Sequence, residues 1–198
     1  FDTNVSQLIE QNGRIVGVET DKGMASADAI VLAMGSYSPA LTRPLGLTIP
    51  VQPVKGYSIT LPIAANQTAP KVSLIDNQQK LVFSRFGNRL RVAGMAETAG
   101  FDTSIDMARA QSILKATVEL FPDLEGSNDP EYWAGLRPMT PDNAPVIGLT
   151  KLKNLYVNTG HGVLGWTMSC GSGQIIADII SGKKPSINLE GLTIDRFS

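Results

Sequence analysis

The stretch Gly160-His161-Gly162-Val163-Leu164-Gly165 constrains this chain more than any other. It has the G-x-G-x-x-G spacing, follows the apolar run NLYVNT and leads into a helix-like segment. In a doubly wound dinucleotide-binding domain such a loop joins the first strand to the first helix. An acidic residue about 20 positions on and several further strands complete the nucleotide crevice. Glu190, in SINLEGL, imitates that acid but sits a little too far along, and only eight residues follow it. No room remains for the rest of such a sheet, so the pyrophosphate reading is set aside. The same glycines would still let the backbone approach a flat ligand. Trp166 and Thr167 then open a helix whose free N–H groups and positive dipole end point back at the loop. A terminus of that kind stabilises an anion.

Composition narrows the classes. With 198 residues, 42% of them hydrophobic, the chain can bury one good core or share two smaller ones. The longest unbroken apolar run, Ala29 to Met34, is far below the ~20 residues a spanning helix needs. A formal net charge of -1, with Lys and Arg spread along the sequence, leaves no electrostatic footprint for nucleic acid. The single Cys170 excludes an internal disulfide and points to a reducing compartment. With only His161 to join it there is no zinc ligand set, and no metal site is expected.

Along the chain, VSQLIEQ, an Asn12-Gly13 turn, RIVGVET, a second turn at Asp21-Lys22-Gly23 and MASADAIVLAMG read as a meander. The chain opens on Phe1, without an initiator Met, directly into this strand material; we expect an excised piece of a longer protein. Pro39, Pro44, Pro50 and Pro53 mark a connection and a boundary. From Val54 the runs VKGYSITL, KVSLI, KLVFS and LRVAG predict a second, antiparallel sheet. A helix capped by Thr103 or Ser104 follows, with Met107, Ala110, Leu114, Val118 and Phe121 on one stripe, covering a face of that sheet. YWAGLRP is a further strand, PMTPDNAP a Pro-rich turn, and a last helix runs to about Ser181, with Cys170 as one of its small core residues. The expected class is α/β, in its mixed α+β form.

A helix start aimed at a flat anion suits a reduced flavin, whose negative charge lies around N1 and the C2 carbonyl. Four segments now carry a family resemblance: VLAMGSYSPAL, IPVQPVKGYSITL, GLRPMTPDNAPVIG and NTGHGVLGWTMSCGSGQIIADIISGKKP. Together, in order and across essentially the whole chain, they resemble the C-terminal part of the bacterial D-amino acid dehydrogenase small subunits, within the D-amino acid oxidase and glycine oxidase class of flavoproteins. The resemblance implies FAD as cofactor. It implies a partial FAD-binding domain of the glutathione-reductase-like type, from residues 1–50 and 140–198, plus an antiparallel-sheet substrate domain over 51–139. Such enzymes begin with a strand, G-x-G-x-x-G, helix unit; residues 1–50 do not supply it, so the missing N-terminal half is an implied partner.

The resemblance also assigns roles. Arg137 in GLRP matches the substrate-carboxylate arginine, whose planar guanidinium suits fork-to-fork recognition; by spacing alone it reads as an ordinary surface arginine. Thr167 matches the position that reaches the flavin C2 carbonyl, with Gly165 and Trp166 offering neighbouring N–H groups, and it is equally a helix cap. Gly160, His161 and Gly162 belong to the cofactor loop, where His161 serves packing and hydrogen bonding rather than as a general base. Tyr57 in KGYS lies on the strand beside the substrate cavity, and a core tyrosine fits it as well. Gly35 and Ser36 resemble the segment that closes over FAD; Val5 matches a backbone position that meets the adenine. Glycine oxidase has a second arginine after its Gly-His pair, whereas here the loop reads GVLGW; Leu164, Trp166 and Met168 would favour an apolar substrate side chain.

The implied activity is oxidative deamination of D-amino acids to 2-oxo acids and ammonia, by hydride transfer to flavin N5. Electrons would pass to a respiratory acceptor, from a cytoplasmic site peripheral to the inner face of the bacterial plasma membrane. Two alternatives stay open: a related amine or 2-hydroxy acid flavoenzyme, and a folded fragment without catalysis.

Overall fold

The computed structural model describes residues 1–127 and 129–197, in two compact units: Phe1–Gln52 with Arg137–Ser198, and Pro53–Leu136.

In the first unit, β1 (Val5–Gln11), β2 (Arg14–Thr20) and β3 (Gly23–Ala25) form an antiparallel meander in the order β1-β2-β3. The first turn is made by Asn12 and Gly13, both at positive φ (53° and 76°), as a two-residue hairpin requires. β4 (Ile30–Leu32) instead joins a mixed sheet with β10 (Val146–Leu149) and β11 (Leu155–Thr159), in the order β10-β11-β4. β11 runs parallel to β4 and antiparallel to β10. Leu8, Ile15, Leu32, Val146, Leu155 and Val157 meet in one core below it. On the opposite face Ile147 and Tyr156 pack against Ile175 and Ile176 of α3 (Gly165–Ile180). Because α3 buries Ser172, Ile175 and Ile176, Cys170 falls on its other side and is exposed, not a core residue. Between β4 and the second unit, Pro39 sits in the first turn of the short helix α1 (Ser38–Thr42), where its missing N–H has no cost.

The second unit is built on a five-stranded sheet, β6-β7-β8-β5-β9, from β5 (Gln52–Pro62), β6 (Leu74–Asp76), β7 (Leu81–Phe86), β8 (Arg89–Glu97) and β9 (Glu131–Met139). Alternation along the strands sends Tyr57, Ile59, Leu61, Phe83, Leu90 and Val92 into one core. The helix α2 (Met107–Leu120) covers that face through Ala110, Ile113 and Thr117, whose hydroxyl is satisfied by donating to Ile113 O at 2.7 Å. The helix starts two to three residues later than Thr103 or Ser104 would start it. Asp106 is the cap, accepting from Ala108 N and Arg109 N, because the N–H and hydroxyl of Ser104 are both committed to Asp102. With Met107 exposed, the buried stripe is rotated toward Ile113 and Thr117. β9 then carries the chain out of this sheet; Arg137, Pro138 and Met139 are its last residues.

Candidate functional site

A parallel strand pair brings both of its carboxyl ends to one edge of the sheet, the edge at which ligands of open α/β sheets bind. Here β4 exits toward Gly35 and Ser36, and β11 exits into Gly160-His161-Gly162. Thr159 ties the two exits together: its hydroxyl donates to Gly35 O at 3.2 Å and lies 3.1 Å from Ser38 Oγ. Gly35, Gly160 and Gly162 all take positive φ (53°, 76° and 55°). At Gly160 the requirement is doubled, since a Cβ would stand 2.6 Å from Thr140 Cγ2.

The end of β9 runs beside this loop. Gly162 N–H donates to Pro138 O at 3.0 Å, and a Cβ on Gly162 would lie 3.1 Å from Met139 Sδ. A Cβ on Gly35 would meet the Pro138 ring at 3.6 Å. Arg137 is thus one residue from a backbone hydrogen bond to the glycine loop. It is half-buried, and burial draws its pKa below the ordinary arginine value; the guanidinium stays charged at neutral pH.

The loop closes into α3 without a side-chain cap. Leu164 N donates to His161 O at 3.1 Å, and Met168 N makes the first full-turn bond, to Leu164 O at 2.9 Å. The N–H groups of Gly165, Trp166 and Thr167 lie ahead of it, where the helix dipole concentrates positive charge. Thr167 is exposed and Trp166 is 94% exposed.

Among the described residues three buried polar atoms lack a hydrogen-bond partner: Ser36 Oγ, Asn158 Oδ1 and His161 Nε2. All belong to the two strand exits. An unsatisfied buried polar group costs about 1–3 kcal/mol, and these three stand near an uncapped helix start and glycines at positive φ. Burial also lowers the His161 pKa, which leaves its imidazole neutral at pH 7 and suits a hydrogen-bonding role. Asn158 was not singled out from the sequence; its one signal is an amide inside the apolar run of β11. Val5, at the start of β1, packs half-buried against the first unit's core.

Tyr57 lies within the second unit, 1% exposed, with its hydroxyl donating to Glu97 Oε2 at 2.6 Å. The same oxygen is 3.4 Å from Nζ of Lys55, which is 2% exposed and also donates to Asp102 Oδ2 (3.2 Å) and Ser104 O (3.1 Å). A β-bulge makes this possible. Met95 takes φ 61°, the register slips by one residue, and Glu97 comes opposite Lys55 on the face that Tyr57 shares. The Tyr57 hydrogen bond, then Lys55, holds the Glu97 carboxyl below its ordinary value. Burial pulls the Lys55 ammonium down, but hydrogen bonds to Asp102, Tyr57 and Glu97 outweigh it and raise its pKa. Bonds from Ser104 and Lys55 take Asp102 to about 2. The cluster was invisible in the sequence because more than forty residues separate Lys55 from its acidic partners Glu97 and Asp102. Among the described residues no group of three or more His, Cys, Asp or Glu could hold a metal ion, and no helix is long and apolar enough to cross a membrane.

The whole chain is 49% identical to the D-amino acid dehydrogenase of Agrobacterium fabrum, 47% of which it covers. The chain therefore spans about half the length of the curated relatives it matches. Its fold resembles the crystal structure of iminodiacetate oxidase from Chelativorans sp. BNC1 (26% identity, TM-score 0.87, 96% of this chain and 52% of that one). It also resembles glycine oxidase from Bacillus cereus (27% identity, TM-score 0.81, 93% of this chain and 52% of that one). Residues 1–179 match the family model described as FAD dependent oxidoreductase, and with nine-tenths of its length matched the chain belongs to that family, DAO.

Proposed function

We propose that the complete polypeptide containing this chain oxidises D-amino acids to 2-oxo acids and ammonia. When bound, FAD supplies a hydride acceptor at N5. The residues of the first unit fit such a cofactor. Gly160, Gly162 and Gly165 would let the backbone approach the flavin, and the N–H groups of Gly165, Trp166 and Thr167 would stabilise its negative charge. Ser36 and His161 offer unpaired polar atoms, and Gly35 and Val5 offer backbone. Arg137 binds the substrate carboxylate in a fork and so orients the α-hydrogen. Tyr57 acts from within β5, which is hydrogen-bonded to β9, the strand that carries Arg137. The amine proton leaves to solvent, and no imidazole base is needed.

One observation carries this reading: the Gly162 to Pro138 hydrogen bond, which holds the strand end bearing Arg137 against the loop that opens α3. The similarity to the D-amino acid dehydrogenase of Agrobacterium fabrum supports the D-amino acid substrate, and the apolar Leu164, Trp166 and Met168 support an apolar side chain on it. By the same resemblance the electrons pass to a respiratory acceptor at the inner face of the plasma membrane, and the segment absent here supplies most phosphate and adenine contacts. The test is to assay the complete polypeptide with D-alanine, sarcosine and D-lactate, using an artificial electron acceptor. Preferential oxidation of D-alanine is expected; faster turnover of either competitor overturns the substrate assignment.

A further inference from the structure

Asn158 is the last but one residue of β11 and pairs with Ile147 of β10. Strand alternation puts it on the face of Tyr156 and Ile147, the face that α3 covers, while Val157 and Thr159 turn the other way. Only five residues, 160–164, separate the end of β11 from the start of α3. The Asn158 carboxamide therefore lies at the strand end nearest the uncapped turn of the helix. Its oxygen is buried and unpartnered, and among the described residues the two other buried side-chain polar atoms in that condition, Ser36 Oγ and His161 Nε2, stand at the same end of the parallel pair.

We propose that Asn158 is a further FAD-binding residue, its carboxamide oxygen accepting a hydrogen bond from the cofactor at the carboxyl end of the β11 and β4 pair. The assignment rests on the flavin reading above and extends it to a residue that reading does not use. What the oxygen lacks is a donor, and FAD carries several: the ribityl and ribose hydroxyls and the isoalloxazine N3–H. A backbone N–H from the segment absent here is the competing donor. The two differ in one measurable respect, because a bond to FAD exists only in the loaded protein and a bond to polypeptide exists in both forms.

The experiment compares Asn158→Leu with the wild type in the complete polypeptide, as apoprotein and after reconstitution with FAD. Leucine keeps the approximate shape and removes the polar atoms. The FAD dissociation constant, read by flavin fluorescence, is expected to rise about tenfold. The gain in Tm on adding FAD is expected to shrink, while the apoprotein Tm stays level or rises because an unsatisfied amide has gone. Asn158→Ala serves if the leucine variant does not fold, with the same direction expected for FAD affinity. An unchanged FAD dissociation constant overturns the assignment, and a lower apoprotein Tm beside it gives the bond to polypeptide. A wild type that binds no FAD removes the flavin reading and this assignment together.

Discussion

The Gly162 N–H donates to the carbonyl of Pro138 at 3.0 Å, which fixes the backbone next to Arg137 to the loop that begins α3. The backbone that carries Arg137 is thus tied to the glycine loop. Each charge-assisted bond of a guanidinium fork contributes about 1.5–3 kcal/mol. Arg137→Ala in the complete polypeptide is expected to lower kcat/KM for D-alanine by about 100-fold or more, mostly through KM. Arg137→Lys keeps the charge but not the fork and is expected to fall between. Steady-state kinetics check both, and an alanine variant with wild-type kcat/KM takes Arg137 out of the site.

Gly160 and Gly13 make a matched pair, since both hold φ at 76°. A Cβ on Gly13 meets nothing within 4 Å, whereas one on Gly160 meets Thr140 Cγ2 at 2.6 Å and Val51 Cγ2 at 3.3 Å. Both alanine variants pay about 1–2 kcal/mol for the left-handed backbone, but only Gly160→Ala adds overpacking, of about 1–3 kcal/mol. Denaturant unfolding is expected to rank Gly160→Ala clearly below Gly13→Ala. Equal losses would show that Thr140 moves aside freely.

What could be read from the sequence follows the range of the forces involved. Strands such as RIVGVET and KLVFS are legible because a half-buried strand must alternate, and the Asn12-Gly13 turn because few other pairs adopt two positive φ values. β10 was missed: four residues, VIGL, just after a Pro-rich turn, have no period to display. The start of α2 was misplaced because Ser104 looks like a cap until Asp102 claims its hydroxyl. The glycine loop was legible through composition; Asn158 was not, since its missing partner is a property of three-dimensional placement. The Lys55, Glu97 and Asp102 cluster depends on a bulge at Met95, where nothing in the residue type announces a positive φ.

The face of α2 gives a direct test of packing. Ile113 is 1% exposed and sits in the second unit's core, while Met107, which the apolar spacing would also bury, is 44% exposed. Ile113→Ala is expected to cost about 2–5 kcal/mol, and Met107→Ala about 0.5 kcal/mol or less. Chemical denaturation of the two variants decides it, and a larger loss at Met107 would mean that the helix is rotated from the position described.

Acid should act through two carboxylates that share no partner. Arg196 grips Asp142 with Nε at 2.7 Å and one terminal nitrogen at 3.2 Å, and that bond is the first cause of a pKa near 2. Asp102 is held near 2 by Ser104 and Lys55. A carboxyl whose folded pKa lies below its unfolded value adds stability above the unfolded value, near pH 4, and loses it as the pH falls toward 2. Thermal melts should therefore show wild-type Tm falling between pH 4 and pH 2. Asp142→Asn and Asp102→Asn should each lower Tm at pH 7 and flatten that fall, and the double variant should flatten it further, roughly as the sum of the two. A double variant that keeps the wild-type slope would place the acid sensitivity in other groups and deny the Arg196 and Lys55 contacts their part in holding the folded state.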